Sequence, residues 1–178
     1  MKLILVRHGE TNYNVKNVLS AKPGEHVFLT KKGTSQASEA AKNLKNKKFD
    51  IIFVSEMFRT QQTASIINQF HNQIFIVESN INEYFTDNEG KTLEEVHQQD
   101  KDIKDWYTYR HKTGESLFDL AARVKIFLEE LKTKPFEQVL IVSHEEVIKY
   151  IYANIKGISG EKACELHFKN CELVELDL

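Results

Sequence analysis

The sequence predicts an α/β domain: a mostly parallel β-sheet with helices on both faces. Three observations carry this. Short apolar runs recur at residues 3–6 (LILV), 51–54 (IIFV), 74–77 (IFIV) and 139–142 (VLIV), as in strands buried on both faces. Stretches with helical spacing lie between them, which makes βαβ units. The end differs: residues 163–168 and 171–178 flank Lys169-Asn170, a turn-like pair. That reads as a closing hairpin with one antiparallel strand.

Taken in order, the first strand runs directly into Arg7-His8-Gly9-Glu10-Thr11. Ala37, Ala40, Ala41 and Leu44 then share one helical face, as do Ala64, Ile67 and Phe70 after the second strand. Residues 86–112 are polar. Leu93, Val96 and Trp106 can anchor a short helix there, in an excursion that covers one end of the sheet. Ser116 is placed to cap a long helix whose buried face is Leu117, Leu120, Ala121, Val124, Phe127, Leu128 and Leu131. Val147, Ile148, Ile151, Tyr152 and Ile155 mark another helix after the strand at 139–142.

The 178 residues suit one domain, residues 1–178, with neither linker nor repeat. The apolar fraction is 41% and the charged fraction 28%, an ordinary soluble balance. A net charge of −2 gives no global basic field for nucleic acid. No apolar run approaches the roughly 20 residues of a membrane span, and LILV is too short for a signal-peptide core. Cys164 and Cys171 form no CxxC pattern and read as reduced thiols of a cytoplasmic protein.

The chemistry gathers at strand ends. LILV ends at Arg7-His8, QVLIVSH ends at His144, and IIFV is followed by Ser55 and then Arg59. Parallel strands put these ends on one side, where open α/β sheets bind ligands. Arginines offer charged forks that match phosphate oxygens. They also lower a neighbouring histidine's pKa, which keeps a nitrogen lone pair available for attack. Phosphoryl transfer to histidine fits all four residues. A metal site fits poorly: there is no HExxH, and the arginines oppose a cation.

Six ordered motifs resemble the histidine phosphatase superfamily, also called phosphoglycerate mutase-like. They are LILVRHGETNYN; Phe28-Leu29-Thr30-Lys31-Lys32-Gly33 with Gln36-Ala37; and Ser55, Arg59, Thr60 and Thr63. The others are Asn82-Glu83-Tyr84-Phe85 with Asp87 and Glu89-Gly90; Gly114-Glu115-Ser116 with Arg123-Val124; and Val142-Ser143-His144. The resemblance implies a three-layer α/β/α sandwich whose six-stranded sheet has one antiparallel strand. It implies that His8 takes up the phosphoryl group, that Arg7, Arg59 and His144 hold its oxygens, and that Asn14 and Thr11 assist. Glu83 is implied as proton donor and then base, with no metal and no other cofactor. Thr11 has a second reading, as the cap of the next helix. Glu10 is read as a helix-start carboxylate, outside the site.

Three departures bear on substrate. Glu145-Glu146 follows His144, where the family usually has glycine. Beside His144 a carboxylate favours the imidazolium and repels substrates with extra anionic groups; pointing to solvent, it only complements the helix dipole. Thr86 and Asn88 replace the family's glycine and tryptophan, and Val18-Leu19-Ser20-Ala21-Lys22 lacks its arginine and Gln-Gly. The chain stops at Leu178, without the tail that shields the phosphoenzyme in mutases, so hydrolysis is expected. Size and layout resemble α-ribazole phosphatases and broad-specificity phosphatases acting on phosphorylated small molecules. A mutase and a turnover-poor phospho-ligand binder are the alternatives.

Overall fold

The first strand sets the frame. β1 (Lys2–Arg7) pairs in parallel with β4 (Gln138–Ser143) in a register that sets Leu3 beside Val139 and Arg7 beside Ser143. β2 (Ile51–Val54) lies in parallel on the other side of β4, and β3 (Phe75–Val77) beyond it. β5 (Leu173–Asp177) runs antiparallel along the free edge of β1. The order is β3-β2-β4-β1-β5 in a computed structural model that describes residues 1–24 and 26–178.

Alternation along the strands builds the three layers. Leu3, Leu5, Phe53, Val139 and Ile141 face α5 (Leu117–Lys132) and α6 (Glu145–Lys156), meeting Leu120, Val124, Leu128, Ile148 and Ile151. Ile4, Val6, Ile52, Val54, Leu140 and Val142 face α2 (Lys31–Leu44) and α3 (Phe58–Asn68), meeting Ala40, Ala41, Leu44, Ala64 and Ile67. Three short helices complete the set: α1 (Asn12–Lys16), α4 (Leu93–Gln99) and α7 (Gly160–Ala163). Ser116 caps α5 in a capping box with Asp119. Among the described residues no helix is long and apolar enough to cross a membrane.

Among the described residues the sheet has five strands, not six, and no closing hairpin forms, because Ala163 ends α7 and residues 164–168 continue as a turn and irregular chain rather than a strand. Long-range contacts claim that stretch: Phe168 packs into the core and its carbonyl accepts from Arg7 Nη1 at 2.7 Å. The last strand is antiparallel as expected, but its partner is β1. The run at 74–77 is an exposed edge rather than a buried strand, with Ile74 77% exposed. Phe70 lies beyond the end of α3 and is also exposed. In the excursion Val96 is buried, whereas Leu93 and Trp106 stay about two-fifths exposed at 42% and 41%.

Two glycines let the first loop seat on α2. A methyl group on Gly9 would sit 2.6 Å from the carbonyl oxygen of Gly33, and one on Gly33 would collide with the Glu10 carbonyl. Both contacts are backbone, which cannot yield cheaply. Gly33→Ala is therefore expected to cost about 1–3 kcal/mol of stability in urea unfolding. An unchanged midpoint would show that the loop does not depend on this approach.

Candidate active site

Register places the two histidines. Because Arg7 pairs with Ser143, His8 and His144 emerge side by side at the ends of β1 and β4, with ring centroids 5.3 Å apart. The His8 backbone N–H donates to Ser143 O at 2.9 Å, extending the ladder by one bond. Asn170 Nδ2 donates to His8 O at 2.8 Å, so the last turn straps the loop down.

Each ring has a defined polarity. His8 Nδ1 lies 2.8 Å from Gly9 O, a pure acceptor, so Nδ1 carries the proton and Nε2 keeps its lone pair. Ser55 Oγ lies 2.7 Å from His144 Nε2. Thr60 Oγ1 donates to Met57 O at 2.7 Å, so the Ser55 hydroxyl donates to Thr60 and accepts from His144 Nε2–H. His144 Nδ1 is then left buried without a hydrogen-bond partner, 3.6 Å from Glu83 Oε2.

Burial, helped by the Arg59 guanidinium, holds both imidazoles well below their ordinary pKa. Glu83 moves the other way. Burial raises its carboxyl, and Glu146 adds to the rise against the pull of Arg59. The site thus combines two neutral bases with a carboxyl that keeps its proton to higher pH.

Arg59 sits in the first turn of α3, 3% exposed, and donates from Nη1 and Nη2 to Ser20 Oγ and Ser20 O at 3.2 and 3.1 Å. Thr11 caps α1, with Asn14 completing the capping box: Thr11 N–H donates to Asn14 Oδ1 and Asn14 N–H to Thr11 Oγ1. The cap leaves the Asn14 amide donors and the Thr11 hydroxyl proton available. Arg7, His8, Thr11, Asn14, Arg59 and Glu83 all line one cavity of about 660 Å³; His144 lies fully buried behind its wall, against His8 and Glu83. The widely separated residues singled out in the sequence therefore meet.

Several supports were matched in the sequence without a role. Arg123 donates to Asn80 O at 2.7 Å and Glu83 O at 3.2 Å while paired with Glu115 at 2.6 Å, which fixes the backbone under Glu83. Glu89 accepts from the backbone N–H of Ala21 and Lys22 and so shapes the loop that meets Arg59. Asn88, in the tryptophan position, lies 3.3 Å from His111 Nε2, itself 3.3 Å from Asp100 Oδ2, in a buried polar cluster. Lys149 was missed. It is a buried lysine on α6 whose Nζ donates to Glu146 Oε1 at 2.8 Å, and its signal was a cation within an apolar helical face.

Glu145 faces neither solvent nor His144. Its Oε2 lies 2.5 Å from Arg7 Nη1, and its Oε1 lies 3.2 Å from His167 Nδ1. The imidazolium that a neighbouring carboxylate would favour at His144 is not favoured: burial and Arg59 dominate there.

The family model of the histidine phosphatase superfamily (branch 1) matches residues 3–178. The chain belongs to this superfamily. Within it, phosphoserine phosphatase 1 of Hydrogenobacter thermophilus is 32% identical, over 91% of this chain and 79% of the relative. The 2,3-bisphosphoglycerate-dependent phosphoglycerate mutase of Bartonella quintana is 33% identical, over 90% and 84%. The crystal structure of the α-ribazole phosphatase from Shigella flexneri superposes with a TM-score of 0.90 at 27% identity, covering 100% of this chain and 91% of that one. The relatives of this chain thus include both phosphatases and a phosphoglycerate mutase.

The pKa directions make stability pH-dependent. Unfolded imidazole titrates near pH 6.5, whereas His8 and His144 titrate well below that in the fold. Below about pH 6.5 the unfolded chain binds protons that the folded chain does not. Stability is lost as pH falls, by up to about 1.4 kcal/mol per pH unit for each histidine. Glu83 opposes this: with its pKa raised in the fold, its share is present at low pH and lost as pH rises. Urea unfolding of the parent chain should lose more stability between pH 7.5 and 5.5 than that of His144→Gln. Equal losses would contradict the buried neutral imidazole.

Proposed function

We propose that the chain is a phosphomonoester hydrolase working through a phosphohistidine on His8. The observation that carries this reading is the His8 tautomer: Nδ1–H is engaged by Gly9 O, and Nε2 is free at the cavity between two guanidiniums.

The roles follow from which donors and lone pairs remain available. Arg7, Arg59, the Asn14 amide and the Thr11 hydroxyl donate to the phosphoryl oxygens, with His144 behind them. His8 Nε2 attacks phosphorus as the ester P–O bond breaks, and Glu83 gives its proton to the departing alkoxide. The positive charge then on the His8 ring is stabilised by the Gly9 carbonyl. Glu83, now a carboxylate, takes a proton from water. The water oxygen attacks phosphorus, the P–N bond breaks, and phosphate leaves with His8 and protonated Glu83 restored.

The phosphatase relative and the phosphatase structure at TM-score 0.90 support hydrolysis. The mutase relative supports a second reading, transfer between hydroxyls by the same first step. Free phosphate equal to substrate consumed supports hydrolysis; isomerised phosphoester with little free phosphate supports transfer.

His8→Ala should abolish turnover and the acid-labile, base-stable phosphoryl adduct; full activity in that variant would overturn the reading. Glu83→Gln should lower kcat/KM, which reports only the step that forms the phosphohistidine, by about 10²–10⁴ on alkyl phosphates, whose alkoxide needs a proton. It should lower kcat/KM far less on p-nitrophenyl phosphate, whose leaving group does not. Equal losses on both would remove Glu83 as the acid.

A further inference from the structure

We infer that the cavity selects phosphomonoesters whose alcohol half carries no second anionic group, and that Glu145 enforces the selection. This rests on the proposed function only for the seat of the phosphoryl group.

The first ground is the charge inventory of the wall. Its arginines and lysine are Arg7, Arg59 and Lys149. Arg7 is paired with Glu145 at 2.5 Å and Lys149 with Glu146 at 2.8 Å. Arg59 is bonded to Ser20 and faces the phosphoryl seat with Glu83 nearby. No unmatched lysine or arginine of the wall remains for a carboxylate or second phosphate. Away from His8 the wall mixes apolar Leu19, Val27, Leu93 and Trp106 with uncharged Asn17, Thr86 and Asn88 and the imidazoles of His97 and His111.

The second ground is how firmly Glu145 is held. It is the first residue of α6, directly after His144. Besides Arg7 it meets His167 Nδ1 at 3.2 Å and accepts from the Phe168 N–H at 3.4 Å. Three contacts keep its negative charge at the cavity wall.

The same contacts orient Arg7. Nη1 is taken by Phe168 O and Glu145, whereas Nε is buried without a partner. Nη2 is left to meet an oxygen of one phosphoryl group. Arg7 is thus committed to the phosphoryl seat and unavailable to a second anion. A second anion that enters meets the Glu145 carboxylate, and like charges in a partly dehydrated site repel strongly.

The test uses two non-hydrolysable ligands, so it needs no turnover: propylphosphonate, and 3-phosphonopropionate, which adds one carboxylate. Calorimetry at pH 8 and low salt, where imidazoles carry little charge, gives both affinities. The intact chain should bind propylphosphonate at least about tenfold more tightly. Glu145→Gln should narrow the ratio to below about threefold by tightening the carboxylated ligand. Glu145→Gly, which installs the family's usual residue, should do the same, and a thermal melt establishes that each variant is folded. Equal affinities in the intact chain, a ratio unchanged in both variants, or no binding of either phosphonate overturns the inference. Failure of the proposed function shows separately, as turnover surviving in His8→Ala, and leaves this ratio unaffected.

Discussion

The parallel register that sets Arg7 beside Ser143 is the constraint on which the site depends. It places His8 against His144 and puts both at the ends of strands buried on both faces. A slip of one residue would turn every side chain of β1 to the opposite layer, taking Leu3 and Leu5 from one core and Ile4 and Val6 from the other. The hydrophobic pattern of the strands therefore guards the geometry of the histidines. Gly9 and Gly33 then let the chain turn closely over α2, and Asn170 holds the loop from the other side.

Electrostatics follows from that placement. Burial makes charge on either imidazole costly, and Arg59 raises the cost further, so both rings stay neutral. The Ser55–Thr60 relay uses up His144 Nε2 and turns its other nitrogen toward Glu83. Glu83 itself is half-buried near a second carboxylate, Glu146, and holds its proton more strongly than an ordinary glutamate. Base and acid are thus separated by their surroundings although they share one cavity. Glu145 offsets the charge of Arg7.

Much of this was legible in the chain itself. Apolar strands ending in Arg7-His8 and His144, with Arg59 one turn past a third, marked the site because parallel strands share an exit. The layers were legible because Ala37, Ala40, Ala41 and Leu44, and likewise the α5 face, repeat at helical spacing. The misses share a cause, since each was decided by contacts distant in sequence. Lys169-Asn170 looks like a hairpin turn, but Arg7 takes the Phe168 carbonyl and Asn170 reaches His8. The run at 74–77 looks buried, but it falls on a sheet edge. The first residue of a helix can face either way, and Arg7, His167 and the Phe168 N–H decide the direction of Glu145. Lys149 is a cation within an apolar helical face, and its burial is decided at the turn after α7, where its Nζ meets the Cys164 carbonyl.

The proposed chemistry needs His8 to rest as a neutral imidazole protonated on Nδ1, with Nε2 open to the cavity. Nitrogen NMR of histidine-labelled protein at pH 6.5 tests it most directly. A His8 signal pair with Nδ1 protonated and Nε2 bare is expected, unchanged when the pH is lowered to 5.5. An imidazolium at pH 6.5, or a proton on Nε2 in place of Nδ1, would contradict it.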